Sequence, residues 1–540
     1  MSVGRDLLRL LGEAPFLDRL EAAALSGWSR GAVYAAFEAL EGAGLVAPLP
    51  HASELIAPTQ RYHLTTAGLS CLAEVEDVGL GELLRSRPLT AHWRKLLLER
   101  LDGVASIYRL AAAIANSEWP LRFRWYRAAP MDAAIALPDG RSLFVVRQGR
   151  TAERTAFAKR LWRLREGPRP GAYLLLVPDI VRLRHTARLM VRAPAPAFLA
   201  LEGDAVASGA GARVWRTASG SPWLSLAEVL SYVPSGGAWP GEEPRARATV
   251  PRDLREPDLS AAPDWMLPAL LGPAQKRVLG LIADWPWITP AHLGSLLGVS
   301  ARRVSQVLRP LDDAALAIRS RGRLVPGDRG LALLAHRDRA AASLARRRWS
   351  AVPLDPQAAL AWRNVQGRRS RQLLRTLEHT TAVHGFLAAL SEQARGEGCE
   401  VAQLDPPHRA SRYYRNDGVV HSVHPDAFGL LQREGRSWPF FLEWERRAVR
   451  PSTMAARLAP YLRYYDSQRP ADDHGVRPQV LVVLDDELAA HHFLRVARAE
   501  MRAARVDLPL WVSHRRLLER EGPLGTAWHA PGSDELEQAR

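Results

Sequence analysis

One order of elements is written twice along this chain, and that repetition restricts the fold more than any other feature of the sequence. The stretch GGAWPGEEPRARATVPRDLREPDLSAAPDW, Gly236 to Trp265, is dense in Pro, Gly and charges of both signs and lacks any helical or strand period, so it reads as a linker. On each side of it the apolar spacing gives three short helices and a small hairpin. A longer helix, a strand, a hairpin, a further strand, a helix and an apolar strand follow. A chain of 540 residues is too long for one ordinary core, since domains close at roughly 100–200 residues. Two halves, each of two modules, satisfy both constraints.

The second half shows its opening module most clearly. Leu279 and Ile282 mark a first helix; Thr289 caps a second, with Leu293, Leu296 and Leu297 apolar and Gly298 as its stop. Ser300 caps a third helix, in which Val304, Val307, Leu308 and Leu311 recur at helical spacing while Arg302, Arg303 and Gln306 fall on the opposite face. RSRGRLV, Arg319 to Val325, then predicts two short strands around Gly322. In the first half Leu20 and Leu25 share a helix, Gly27 turns, Ser29 caps a helix with Val33, Phe37 and Leu40 inward, and a second strand surrounds Arg61 to Leu64. Both patterns resemble the winged-helix modules of many prokaryotic regulators. The resemblance implies that Arg302, Arg303 and Gln306 approach the major groove of duplex DNA and that Arg319, Arg321 and Arg323 hold phosphates. The first module offers Arg30, Tyr34 and Arg61 for the same work, and is the poorer reader.

Beyond each module the halves align through LDGVASIYRLAAAIA from Leu101 and LEHTTAVHGFLAALS from Leu377. Asp132 then falls opposite Asp426, Val146 opposite Glu443, Gln148 opposite Glu445 and Lys159 opposite Arg457. In a strand, residues two apart share a face, so Glu443 and Glu445 point the same way, and hairpin pairing brings Asp426 towards them. Three converging carboxylates repel unless a cation sits among them, and Mg²⁺ is the cation such oxygens suit. The layout resembles the PD-(D/E)xK nucleases, a restriction-endonuclease-like fold. That resemblance implies Asp426 and Glu443 as metal ligands, whereas Glu445 stands where the family has lysine. Arg457 cannot lose its proton, so it suits charge stabilisation rather than base catalysis. The rival expectation is that Glu443 and Glu445 pair with Arg446, Arg447, Arg450 or Arg457 and lock helix to sheet. The first half, with Val146 and Gln148 in place of both glutamates, is expected to be non-catalytic.

Together, LEHTTAVHGFLAAL, PDAFGLL, FFLEWERR and a helix ending LRYYDS ahead of an apolar strand resemble the replication-relaxation family of plasmids and integrative elements, over Leu271 to Arg540. The fold expected is α/β (α+β): a winged helix at 1–78, a degenerate nuclease-like domain at 87–235, the linker at 236–265, a second winged helix at 271–338, a basic helical connector at 339–376 and a nuclease-like domain at 377–530. The function expected is duplex DNA binding in replication or mobilisation of a plasmid or mobile element, without catalysis and without a cofactor. The alternatives are a Mg²⁺-dependent DNA endonuclease and a winged-helix transcription regulator. Self-association and replication or mobilisation proteins are the other partners expected.

Composition narrows the rest. Lys+Arg 73 against Asp+Glu 57 gives a net charge of +16, which favours polyanionic partners. Basic runs at ARRRW (Ala345 to Trp349) and RNVQGRRSRQLLR (Arg363 to Arg375) would extend a phosphate track. Cys71 and Cys399 are the only cysteines and have no CxxC or HExxH company that would make a zinc site. No GxxxxGK[ST], HUH or GxSxG motif occurs, which argues against a P-loop motor, a relaxase and an acyl hydrolase. His379 and His384 lie five apart, off a shared helix face, and are expected to make contacts at the start of their helix; His421 and His424 flank Asp426 as loop residues. No apolar run approaches the ~18 residues of a membrane span, and acids interrupt the amino-terminal leucines, so a cytoplasmic protein is expected.

Overall fold

The computed structural model describes residues 2–151, 154–220, 222–243, 248–254, 258–416, 418–445, 450–533 and 535–539. The chain divides into two compact units, Met1–Arg277 with Arg329–Arg346, and Val278–Asp328 with Arg347–Arg540. Both are mixed α/β.

The first unit opens with helices Val3–Glu13, Arg19–Ser26 and Arg30–Gly42. Local chemistry sets their ends. Asp18 and Glu21 form a reciprocal capping box, Gly27 adopts φ 71° to stop the second helix, and Ser29 Oγ accepts from Ala32 N to start the third. Val33, Phe37 and Leu40 are buried, as their spacing requires. Strands Val46–His51 and Thr59–Leu64 pair antiparallel, and Leu17–Asp18 adds a short third strand against Thr59–Leu64.

Arg61, offered above as a contact to DNA, cannot serve as one. It is fully buried, and its two terminal nitrogens grip Glu21 at 2.9 and 3.2 Å while it also donates to Phe16 O and His51 Nδ1. A guanidinium placed between strand and helix needs a carboxylate to offset its lost hydration, and Glu21 supplies it.

The main sheet of this unit runs Arg122–Trp125, Ala133–Ala136, Ser142–Arg147, Ala172–Val177, Ala197–Leu201 and Arg216–Thr217, side by side in chain order. The first two pairings are antiparallel, the next two parallel and the last antiparallel. Both faces are covered, so Ala172–Val177 is buried at every position and its sequence is an uninterrupted apolar run. Val145, Leu174 and Leu176 pack in one core with Val104, Ile107 and Ala111 of helix Leu101–Ala115. Phe144, Val146 and Leu175 point the other way, against Phe157 and Leu161 of helix Arg154–Glu166 and Leu183 of helix Ile180–Met190. Among its described residues the Gly236–Trp265 stretch forms no strand, and it is tied to this unit: Pro240 O accepts from Arg124 and Tyr126, and Asp253 accepts from Thr66.

The second unit repeats the plan. Helices Pro273–Asp284 (from Val278 onward), Pro290–Leu297 and Ala301–Asp313 precede the hairpin Ala317–Ser320 with Arg323–Pro326. Its main sheet runs Glu400–Asp405, Ala427–Arg433, Arg436–Glu445, Gln479–Leu484, Leu510–His514, Trp528–His529 and Leu536–Glu537, again in chain order. The pairings follow the same succession, two antiparallel, two parallel, then antiparallel. The second unit adds a seventh strand, Leu536–Glu537, to its main sheet and carries a separate hairpin, Arg412–Asn416 with Val419–Val423. Among the described residues no helix is long and apolar enough to cross a membrane.

Candidate functional site

Helix Ala301–Asp313 is built to show one face. Ser300 Oγ accepts from Arg303 N at 3.3 Å, and Gly298 at φ 69° ends the preceding helix, so the chain turns sharply between the two. Val304, Val307, Leu308 and Leu311 are buried, whereas Arg302, Arg303 and Gln306 are exposed, with Arg303 Nη1 3.4 Å from Gln306 Oε1. Arg309, one turn beyond Gln306 on the same side, is exposed as well. It was missed in the sequence although its i+7 spacing from Arg302 was there to be read.

The hairpin that follows turns through Arg321 and Gly322, both left-handed at φ 52° and 72°, the two-residue turn whose twist matches paired strands. Arg321 stands exposed at its tip. Arg319 is exposed but its Nε lies 2.6 Å from Asp312 Oδ2. Arg323 is drawn inward, donating to Trp287 O at 3.1 Å, and burial lowers its pKa. The three hairpin arginines are therefore not equivalent. In the first unit Arg30 is exposed at the start of its helix, and Tyr34 lies under the guanidinium of Arg19, 5.0 Å from the ring centre.

The acidic residues occupy the junction of strands Ala427–Arg433 and Arg436–Glu445. Ala427 pairs with Leu442, and just before it Asp426 N donates to Leu442 O at 2.9 Å. Asp426 Oδ2 accepts from Trp444 N at 2.9 Å, and Oδ1 lies 2.9 Å from His379 Nε2 on helix Leu377–Gly396. Glu443 accepts from Tyr461 Oη at 2.5 Å. Burial, and then the Asp426 carboxylate, push the Glu443 pKa up to about 8. Glu445 does not join them: it pairs with Arg457, one turn before Tyr461 on helix Pro451–Tyr465. Of the cations named for locking helix to sheet, Arg457 does so, while Arg446 and Arg447 lie outside the described residues. Glu443 uses a phenol instead.

Among the described residues no group of three or more His, Cys, Asp or Glu side chains is placed to hold a metal ion. The two ligands implied by the nuclease resemblance, Asp426 and Glu443, lie close together but among the described residues have no third such side chain beside them, and their oxygens are engaged by His379, Trp444 N and Tyr461.

The counterpart in the first unit keeps the backbone clasp and changes the side chains. Asp132 N donates to Val145 O at 2.9 Å and Asp132 Oδ2 accepts from Arg147 N at 2.7 Å, as Asp426 does with Leu442 and Trp444. Where Glu443 and Glu445 would stand are Val146, fully buried, and Gln148, 1% exposed. Arg160 Nη2 at 2.6 Å and Arg339 Nη1 at 2.7 Å clamp Asp132. Burial alone would raise the Asp132 pKa, but these two guanidiniums outweigh it and hold the carboxyl well below its usual range. Lys159, aligned with Arg457, is exposed; its neighbour Arg160 makes the contact.

The histidines separate. His379, in the first turn of its helix, reaches the acid. His384 is buried edge-on to Trp285, and burial lowers its pKa to about 3. His424 Nδ1 lies 3.0 Å from Ser411 Oγ, and His421 packs on Tyr414.

Geometry thus defines an α/β protein in which a basic helix and hairpin and an acid–histidine–tyrosine cluster share one unit. Residues 279–480, which contain both, match the family model for replication-relaxation. No curated protein and no solved structure matches the chain.

Proposed function

We propose that the chain binds duplex DNA through a winged-helix module in its second unit and serves replication or mobilisation of a plasmid or mobile element without cutting the DNA. The observation that carries the reading is the division of helix Ala301–Asp313 into a buried apolar stripe and an exposed one of Arg302, Arg303, Gln306 and Arg309. A capped helix of that kind can enter a major groove without unfolding its own core, and Arg321 at the hairpin tip is placed to take a backbone phosphate. The net charge of +16 favours the encounter. The replication-relaxation match supports the biological setting. The common succession of strands in the two units supports an internal duplication in which restriction-endonuclease-like domains lost their ligand sets, the first more completely than the second.

Anisotropy of a labelled duplex tests the reading. Arg302→Glu with Arg303→Glu should weaken binding at least about tenfold, since each lost charge-assisted contact is worth roughly 1.5–3 kcal/mol. Equal affinity would reject it.

The endonuclease reading retains one favourable observation, the closeness of two carboxylates at Asp426 and Glu443. Supercoiled plasmid with Mg²⁺ separates the two. Wild type and Glu443→Ala should be equally inert; nicking by wild type alone would establish the enzyme.

A further inference from the structure

Next to the clamped Asp132, the first unit has a small recess of about 30 Å³. Its charged lining is Arg100, Arg147, Arg337 and Arg339 against Asp132 and Asp338. Three of these guanidiniums have fixed partners. Arg339 Nη1 holds Asp132 Oδ1 at 2.7 Å, Arg147 spans Glu202 at 2.6 Å and Asp338 at 3.3 Å, and Arg337 Nη2 reaches Asp338 Oδ2 at 3.3 Å.

Arg100 is different. It stands between helices Ala91–Glu99 and Leu101–Ala115, its side chain is half-buried in the recess wall, and among the described residues that side chain makes no hydrogen bond or ion pair. Burial, with Arg339 and Arg160 nearby, draws its pKa down to about 10. The acids around it are already committed. Asp132 is shared by Arg160 and Arg339, Glu99 by Lys95 and His336, and Asp102 by Lys276 and His51. The recess therefore keeps an excess of positive charge, including a guanidinium that has lost part of its hydration without gaining a protein partner. An unpaired buried charge is costly, and an anion offsets it. A phosphate group fits the need, since its oxygens match the guanidinium fork two at a time.

We infer that this recess binds a phosphate group, with Arg100 as the direct ligand and Arg147, Arg337 and Arg339 as the field around it. The recess is bordered by Asp132, the counterpart of Asp426 in the second unit. The inference stands apart from the DNA-binding reading of helix Ala301–Asp313.

The test uses the full chain, inorganic phosphate, and chloride at matched ionic strength, read by calorimetric titration and by thermal unfolding. Wild type should bind phosphate saturably and melt at a higher temperature in it. Arg100→Gln should bind at least about tenfold more weakly. Without phosphate it should melt above wild type, because an unpaired charge has been removed. Arg100→Lys, which keeps the charge but not the fork, should fold and also bind more weakly. Equal phosphate affinity in wild type and both variants, or an identical shift with chloride, overturns the site. Competition by a 5′-phosphorylated oligonucleotide and not by its 5′-hydroxyl form identifies the source as a nucleic-acid end; displacement by neither identifies the free anion. Both outcomes require the dependence on Arg100.

Discussion

Two carboxyl groups, Glu443 in the second unit and Asp132 in the first, behave in opposite ways because of what was placed beside each. Glu443 sits with Asp426 and a phenol, and its pKa rises from 4.5 to about 8. A folded-state pKa above the unfolded value means that the native chain keeps a proton the unfolded chain has released. Its contribution to stability is full below about pH 4.5 and is lost as pH rises towards about 8. Glu443→Gln keeps an acceptor for Tyr461 and removes the titration. It should match wild type near pH 5 and exceed it by about 1–3 kcal/mol near pH 8.5, in denaturant titrations at the two pH values. A constant difference at both would refute the assignment. Asp132 is the reverse case, a carboxylate held ionised by two arginines. Asp132→Ala strands both, and the first unit should lose roughly 3–5 kcal/mol in chemical unfolding. At this scale the sequence was only partly legible. The alignment of Asp132 with Asp426 is matched by an identical backbone clasp, but neither Arg339 nor His379 could be placed at those acids, because each arrives from a distant element.

Helices and hairpins were more legible, since their signals are local. Ser29, Thr289 and Ser300 each cap the helix expected, and Gly27 and Gly298 each end one. Ser300→Ala should cost about 1 kcal/mol through the lost cap, without altering the apolar face. Gly322→Val should cost about the same or more, because φ 72° in the hairpin turn is strained for a β-branched residue; both are measured by thermal unfolding of the second unit. What failed was the direction of individual strand arginines. Arg61 and Arg323 lie in short hairpin strands where alternation alone leaves the buried face undecided, and in each case a distant partner, Glu21 or Trp287 O, decides it. The hairpin Arg412–Asn416 with Val419–Val423 also went unread, because comparison between the halves carries no information about an element present in only one.

Across the whole molecule, repetition gave the succession of elements along each half but not the order of strands in the sheet, which pairing between distant segments decides. The net charge of +16 is the ground for proposing polyanions as the partner class, which packing does not indicate. The account therefore rests on phosphate neutralisation by one exposed helix and one hairpin tip, and the salt dependence of duplex binding measures that directly. The affinity of wild type should fall linearly on a logarithmic plot against salt, with a slope of about 0.9 for each phosphate contact. Arg302→Glu, Arg303→Glu and Arg321→Glu combined should flatten that slope by roughly 2–3. An unchanged slope in the triple variant, or no binding by wild type even in dilute salt, would contradict the account.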